Sequence, residues 1–430
     1  MTGVRLRQFA TSCGNTATNI VVRRTGGRSV IIELAKRVSL SEVADGRSNV
    51  KSSTQRSTMM LKSIKIENFR GLKRLEITNF STINIFVGSN GSGKTSVLEA
   101  LAVLGSPGNP HLLSNLAAWR EMGPMNIQVD YPLRSFFREL NSGIEIKLSA
   151  ATEKGIQRLS ITGQQSDISR LNEPEFNTKS VTGTMQEIEG AAGTFRRSAE
   201  LPFADGNKIA GVSYHFTDEE GTSTMASATL VPVGLQGVVQ NVPRALGVFY
   251  IQGRRASSVL ETAEAITRIT EAGEEQPFLQ VIRAIEPRCK SIQVGFLGGQ
   301  TILLADVGGP KRLSISLLGD GFCRACLIAT GLVTNGPKLI IVDDIDAGLH
   351  HNAMENLWRA IFQICQNRGI QIFCSTHNEE MLHAAVAALA ESPESLRLIR
   401  IDRGKDGSVS SENYDFIHAQ IASRNGIEVR

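Results

Sequence analysis

The stretch Gly88-Ser89-Asn90-Gly91-Ser92-Gly93-Lys94-Thr95 constrains this chain more than any other. It has the spacing G-x-x-x-x-G-K-[ST], with the apolar run Ile83-Asn84-Ile85-Phe86-Val87 before it and Ser96-Val97-Leu98-Glu99-Ala100-Leu101 after it. Strand, glycine-rich loop and helix in that order form a cradle for a di- or triphosphate. The glycines let backbone N–H groups turn inward, and the helix N-terminus adds its positive end. Lys94 is predicted to reach the outer phosphates, Thr95 to offer a hydroxyl to Mg²⁺, and Ser96 to complete the loop's contacts.

A second constellation lies far downstream. Lys338-Leu339-Ile340-Ile341-Val342-Asp343-Asp344 is an apolar run ending in two acids, as expected of a buried strand whose carboxyl end emerges beside a phosphate loop. Asp343 is predicted to hold Mg²⁺, directly or through water, and Asp344 to orient or deprotonate an attacking water. Gly369-Ile370-Gln371-Ile372-Phe373-Cys374-Ser375-Thr376-His377 is another buried strand with a polar tip, which places His377 to contact a γ-phosphate and sense its loss. Cys323 and Cys326 share one face of an apolar helix and lack a second ligand pair, so they read as packed core rather than zinc ligands. His350-His351 also lacks a metal-ligand pattern.

The remaining pattern is α/β. Leu61–Phe69 and Lys73–Ile77 alternate as half-buried strands before the phosphate loop. A helix is expected from Leu112 to Met122, followed by short strands at Ile127–Tyr131, Ile144–Leu148, Ile156–Ile161, Ile209–Phe216 and Ser223–Val231. Residues 163–207 read as a long loop. Further on come a strand at Leu246–Ile251 and a helix capped by Ser257 or Ser258. A helix opened by Pro277, a strand at Thr301–Ala305 and helices at Phe322–Thr334 and Asn352–Gln366 complete the pattern.

Residues 1–58 are rich in Arg, Lys, Ser and Thr, and only Glu33, Glu42 and Asp45 are acidic. They read as a loosely ordered extension, upstream of a start at Met59 or Met60, in which Ser29–Leu34 is a short strand or the start of a helix. Their composition also suits a transit peptide or a basic arm touching nucleic acid. The net charge of +4 neither demands nor excludes a nucleic-acid partner. Six scattered cysteines do not form a secreted disulfide framework, and no apolar run approaches the ~20 residues of a membrane span. The expected location is the cytoplasm.

In this order, Ile66-Glu67-Asn68-Phe69-Arg70-Gly71, the phosphate loop, Leu318-Gly319-Asp320-Gly321, Ile341–Asp344, Asp346-Ala347-Gly348-Leu349-His350 and Ser375-Thr376-His377 resemble the OLD/RecF-like branch of ABC-type ATPases. The chain is also similar to stand-alone ATP-binding proteins of bacterial phage-defence operons. The resemblance covers most of 61–105 and 246–430. It implies a P-loop NTPase fold of ABC-ATPase type: a mixed sheet with helices on both faces, over residues 61–430, with 106–245 as a β-rich insertion. It also implies two heads sandwiching two ATPs, with Gly319, Asp320 and Gly321 acting in trans, Asp346 on the dimer-facing loop and His377 as the switch histidine. By the same analogy Arg70 lies near the phosphates, and Gln252 is a weak candidate for a Mg²⁺-sensing glutamine.

Two departures matter. The resemblance leads to a glutamate after the Asp343 position, whereas this chain has Asp344; and Leu318 stands where a signature serine is usual. A carboxylate displaced by about 1 Å costs on the order of 100-fold in rate, which predicts slow hydrolysis and a long-lived ATP-bound dimer. Only about 50 residues follow His377, too few for a Toprim nuclease. The resulting expectation is an ATP- and Mg²⁺-dependent switch, forming a homodimer or higher homo-oligomer, that controls a separately encoded nuclease or toxin. The alternative is a RecF-like DNA-binding repair ATPase with no effector, for which Arg254, Arg255 and Arg268 would line a nucleic-acid surface. A transporter ATPase is disfavoured by the Gly-Asp-Gly signature and the long β-rich insertion.

Overall fold

The computed structural model describes residues 20–25, 28–33, 60–107, 109–122, 125, 129–165, 209–231, 234–240, 246–253, 259–334, 336, 338–418 and 420. The chain divides into two units, Met1–Arg56 and Ser57–Arg430. The described part of the first is an antiparallel hairpin of β1 (Ile20–Thr25) and β2 (Arg28–Glu33), so the apolar segment near Val30 is a strand.

The second unit begins with β3 (Leu61–Phe69) and β4 (Leu72–Ile77), where the alternation placed them. The P-loop strand β5 (Ile83–Val87) and helices α1 (Lys94–Gly105), α2 (Pro110–Trp119) and α3 (Tyr131–Arg134) follow. Next come β6 (Ile146–Thr152), β7 (Ile156–Gln165), β8 (Ile209–Thr217), β9 (Ser223–Val231) and β10 (Gly234–Gln240). The second half holds β11 (Val248–Ile251), α4 (Val259–Glu271), α5 (Glu275–Arg283), β12 (Ser291–Leu297), β13 (Gln300–Asp306) and β14 (Leu313–Ser314). It closes with α6 (Asp320–Val333), β15 (Leu339–Val342), α7 (His351–Arg368), β16 (Gln371–Ser375), α8 (Glu379–Ala388), β17 (Leu396–Arg403) and β18 (Val409–Tyr414).

Two large sheets organise this unit. One is antiparallel throughout, in the order β10-β9-β8-β7-β6-β3-β4. The β-rich region thus continues the sheet of β3 and β4 through the pairing of β6 with β3. The other has the order β11-β15-β16-β5-β17-β18 and is parallel up to β17, with β18 antiparallel at its edge. A small sheet, β12-β13-β14, completes the unit. Its β12–β13 turn needs two residues with positive φ, supplied by Gly298 (57°) and Gly299 (78°).

The central strands are apolar on both faces because both faces are covered. Ile340 and Val342, Ile372 and Cys374, and Ile83 and Ile85 point into a core shared with α4 to α8. The alternating Ile341, Phe373 and Phe86 point into a second core, shared with α1 and the antiparallel sheet. The fold is therefore α/β, with a mixed central sheet and helices on both faces. The phosphate loop, Asp343-Asp344 and Thr376-His377 all follow the carboxyl ends of its parallel strands, where open α/β sheets place ligands.

Several boundaries differ from expectation. Tyr131 does not end a strand: Pro132 falls in the first turn of α3, where its fixed φ suits a helix. Helix α5 starts two residues before Pro277, which sits where an absent N–H breaks no helical bond. Helix α6 starts at Asp320 rather than Phe322, because Gly319, at φ 94°, ends the preceding turn and caps it. Strands β10, β12, β14, β17 and β18 and helix α8 have no counterpart in the expectations from sequence. Residues 163–165 of the expected long loop continue β7, and the rest of it (166–207), with the caps at Ser257 and Ser258, lies outside the described residues.

Candidate nucleotide site

The phosphate loop is shaped by three glycines with φ of 135° (Gly88), 76° (Gly91) and 118° (Gly93), a region where side chains are strained. At Gly88 space also decides, since a Cβ there would lie 2.2 Å from the Ile401 carbonyl oxygen. Gly93 caps α1, so Lys94 and Thr95 open the helix. Lys94 Nζ donates to the Gly88 and Ser89 carbonyls at 2.8 and 3.1 Å. Burial lowers the Lys94 pKa, while Asp344 and Asp343 act to raise it. The Ser92 hydroxyl is buried in the loop without a partner.

The two strand ends meet this loop. Thr95 Oγ1 donates to Asp343 Oδ2 at 3.0 Å, and Ser375 Oγ donates to the other oxygen, Oδ1. Ser375 Oγ in turn accepts from the Asp344 amide at 2.8 Å. Burial and the neighbouring Asp343 raise the Asp344 pKa, against the lowering effects of His377 and Arg324. Asp346 accepts from Thr376 Oγ1, which ties the loop after Asp344 to the segment leading to His377.

A cavity of about 380 Å³ collects Asn90, Gly91, Gly93, Lys94, Thr95, Ser96, Asp343, Asp344 and His377. Gln252 joins them, although more than 150 residues separate it from the loop. Its amide nitrogen donates to the Trp119 carbonyl, and its Oε1 is buried without a partner. Gly253, Arg120 and Arg403 also line the cavity and carry no sequence signal of their own. Arg403 Nε donates to the Gly91 carbonyl at 3.0 Å.

Arg70 is not among the lining residues. Its guanidinium is buried over the Phe136 ring, 4.1 Å from the centroid, and pairs with Glu99 and Ser135. Glu99 also holds Arg120 at 2.7 and 3.1 Å. One buried carboxylate therefore serves two arginines, and of the two it is Arg120 that faces the cavity. Replacing Glu99 by Gln leaves two cations without their shared anion. It is expected to destabilise the fold by about 3–5 kcal/mol in chemical denaturation.

Arg324, on α6, is buried and bridges two segments: it donates to the carbonyl of Gln252 and to those of Asp343 and Asp344. The first turn of α6 lies elsewhere. Gly319, Asp320 and Gly321 line a separate cavity of about 400 Å³ together with Gly348, Leu349 and His350. The two cavities share no lining residue. His350 caps α7, its Nδ1 accepting from the Asn352 amide at 3.4 Å. Cys326 is fully buried, which pushes its thiol pKa well up. Among the described residues no His, Cys, Asp and Glu cluster could hold a metal ion, and no helix is long and apolar enough to cross a membrane. Arg254 and Arg255 lie outside the described residues, and Arg268 is exposed beside Glu264.

Two family models match the chain. Residues 59–190 match "AAA ATPase domain", and residues 256–382 match "AAA domain, putative AbiEii toxin, Type IV TA system". An "ATP/GTP phosphatase" of Helicobacter pylori is 21% identical over 343 residues, 75% of this chain and 86% of that protein. The DNA replication and repair protein RecF of Acinetobacter baumannii is 34% identical over 107 residues, a quarter of either chain. Among solved structures, an SMC head bound to the C-winged helix domain of ScpA is 12% identical, with a TM-score of 0.43, over 83% of this chain and 98% of that one. The chain carries AAA-type domains and is an ATPase of the P-loop class.

Proposed function

We propose that this protein is an ATP-driven switch of the cytoplasm. It binds ATP with Mg²⁺, pairs head to head with a second copy, hydrolyses the ATP, and through that cycle holds or releases a separately encoded nuclease or toxin in phage defence. The observation that carries this reading is the division of labour between the two cavities. One has the phosphate loop and both strand-end acids, whereas Gly319–Gly321 opens into the other, on the same chain. A single copy therefore presents two unlike half-sites, which a two-fold dimer would bring together twice.

The residues present fit the nucleotide and the metal. Thr95 Oγ1 and Asp343 offer hard oxygen donors side by side, and Ser92 Oγ and Gln252 Oε1 are buried polar atoms without partners. Mg²⁺, when bound, supplies charge neutralisation across the β- and γ-phosphates. Lys94 would exchange two loop carbonyls for phosphate oxygens, while Arg120 stands ready as a cation already oriented by Glu99. Asp344 would orient the attacking water and accept its proton. His377, exposed at the cavity mouth, would contact the γ-phosphate. From the signature cavity of a second copy, the N-terminus of α6 would face the same phosphate.

The name of the H. pylori relative supports nucleotide hydrolysis, and the toxin–antitoxin wording attached to the model over 256–382 supports a link to an effector. A non-hydrolysable ATP analogue with Mg²⁺ is expected to double the particle mass in solution and to increase recovery of one co-purifying protein from native cells. A monomer at every analogue concentration would contradict the reading. The local match to RecF favours a second reading, repair on DNA without an effector. It predicts turnover stimulated by DNA and DNA binding that weakens steeply with salt.

A further inference from the structure

Asp344 is held from several sides. Its φ of 50° is left-handed, a conformation costing a non-glycine residue about 1–2 kcal/mol. Its amide donates to Ser375 Oγ at 2.8 Å and its carbonyl accepts from Arg324 Nη2 at 3.0 Å, so the backbone is pinned on both sides. The side chain lies against the segment that follows β11. A Cβ built on Gly253 would stand 2.5 Å from Asp344 Oδ2 and 3.0 Å from its Cβ and Cγ. Gly253 does not have a positive φ, so its backbone conformation alone does not require glycine. The requirement comes from the carboxylate.

We propose that Gly253 is the positioning residue for Asp344: its bare Cα is the seat against which the acid rests, and that seat is cut to the length of aspartate. A glutamate built on the same pinned backbone would bring its extra methylene to where the Asp344 carboxyl now meets Gly253. Its carboxylate would have to turn away. The short acid is matched to its site and is not a shortened form of a longer one. This inference rests on the reading of Asp344 as the group that orients water.

The test is ATP turnover with Mg²⁺, alongside the affinity for a non-hydrolysable ATP analogue, in the full chain carrying Gly253→Ala, Asp344→Glu or Asp344→Asn. Gly253→Ala is expected to lower kcat on the order of 100-fold, the effect of a displacement of about 1 Å, with analogue affinity within about twofold of wild type. Asp344→Glu is expected to turn over no faster than wild type. The inference is overturned if Gly253→Ala folds and keeps its kcat, or if Asp344→Glu is the faster enzyme. The second measurement decides alone if Gly253→Ala does not fold. Asp344→Asn separates the two levels. Wild-type turnover in that variant removes the reading of Asp344 itself, whereas an inactive Asp344→Asn beside a fully active Gly253→Ala removes only the role of Gly253.

Discussion

Asp344→Asn is expected to lower ATP turnover by about 10²–10⁴-fold, the usual worth of a positioned acid or base, while ATP analogue binding survives. Lys94→Ala should do the reverse and lose binding first, because its ammonium stands beside the loop carbonyls where phosphate oxygens would enter. The Asp344 variant carries a second, opposite consequence. Burial, and then the charge of Asp343, raise the Asp344 pKa above the usual carboxylate value. An acid whose folded pKa lies above its unfolded pKa contributes fully to stability only below the unfolded value. That contribution is lost as pH rises through the folded value. Near neutrality Asp344 is therefore a cost to the nucleotide-free fold. Asparagine removes the charge, so the variant should melt at a higher temperature than wild type at pH 7, with the gap closing under acid conditions. In the wild type, the same raised pKa should move the acid limb of the kcat/KM–pH profile, which reports the free enzyme, above the range of an ordinary aspartate.

The parts of the site that the sequence discloses are those whose chemistry is local. The phosphate loop, the run ending in Asp343-Asp344 and the run ending in Ser375-Thr376-His377 each carry strand and site in one short segment. Their apolar runs stand out because both faces of β5, β15 and β16 are buried. Arg120, Gly253, Arg324 and Arg403 carry no such signal. They reach Asp343, Asp344 and the loop only through the pairing of β11 with β15 and β17 with β5, and through the packing of α2 and α6. The placement of Arg70 has a signal in the sequence. Glu99 interrupts the apolar stretch Val97–Leu104, and a carboxylate buried in a helix core needs cationic partners. Gln252 shows the opposite error: distance along the chain argued against it, yet the end of β11 delivers it to the cavity. The alternation from Ile127 suggests a strand ending at Tyr131, whereas Tyr131 opens α3 with Pro132 in its first turn.

The separation of the two cavities has a consequence of equal size. If Gly319–Gly321 serves the phosphate loop of another copy, damage to it should silence hydrolysis without touching ATP binding by the chain that carries it. Gly319→Glu is suited to this. A Cβ there meets nothing within 4 Å, while the φ of 94° strains any side chain by about 1–3 kcal/mol, so thermal melting checks the fold as a carboxylate enters the cavity where a γ-phosphate is expected. A full loss of turnover with near-normal analogue binding is the expected result for the pure variant.

Mixing that variant with Lys94→Ala tests the central claim most directly. In a mixed pair, one site joins the intact phosphate loop of the Gly319→Glu chain to the intact Gly319–Gly321 of the Lys94→Ala chain, and the other site joins two damaged halves. Random pairing makes about half of the dimers mixed, each with one working site of two, so turnover should recover to about a quarter of wild type. Two inactive proteins that stay inactive on mixing, while forming mixed dimers with the ATP analogue, would contradict a site shared between two copies.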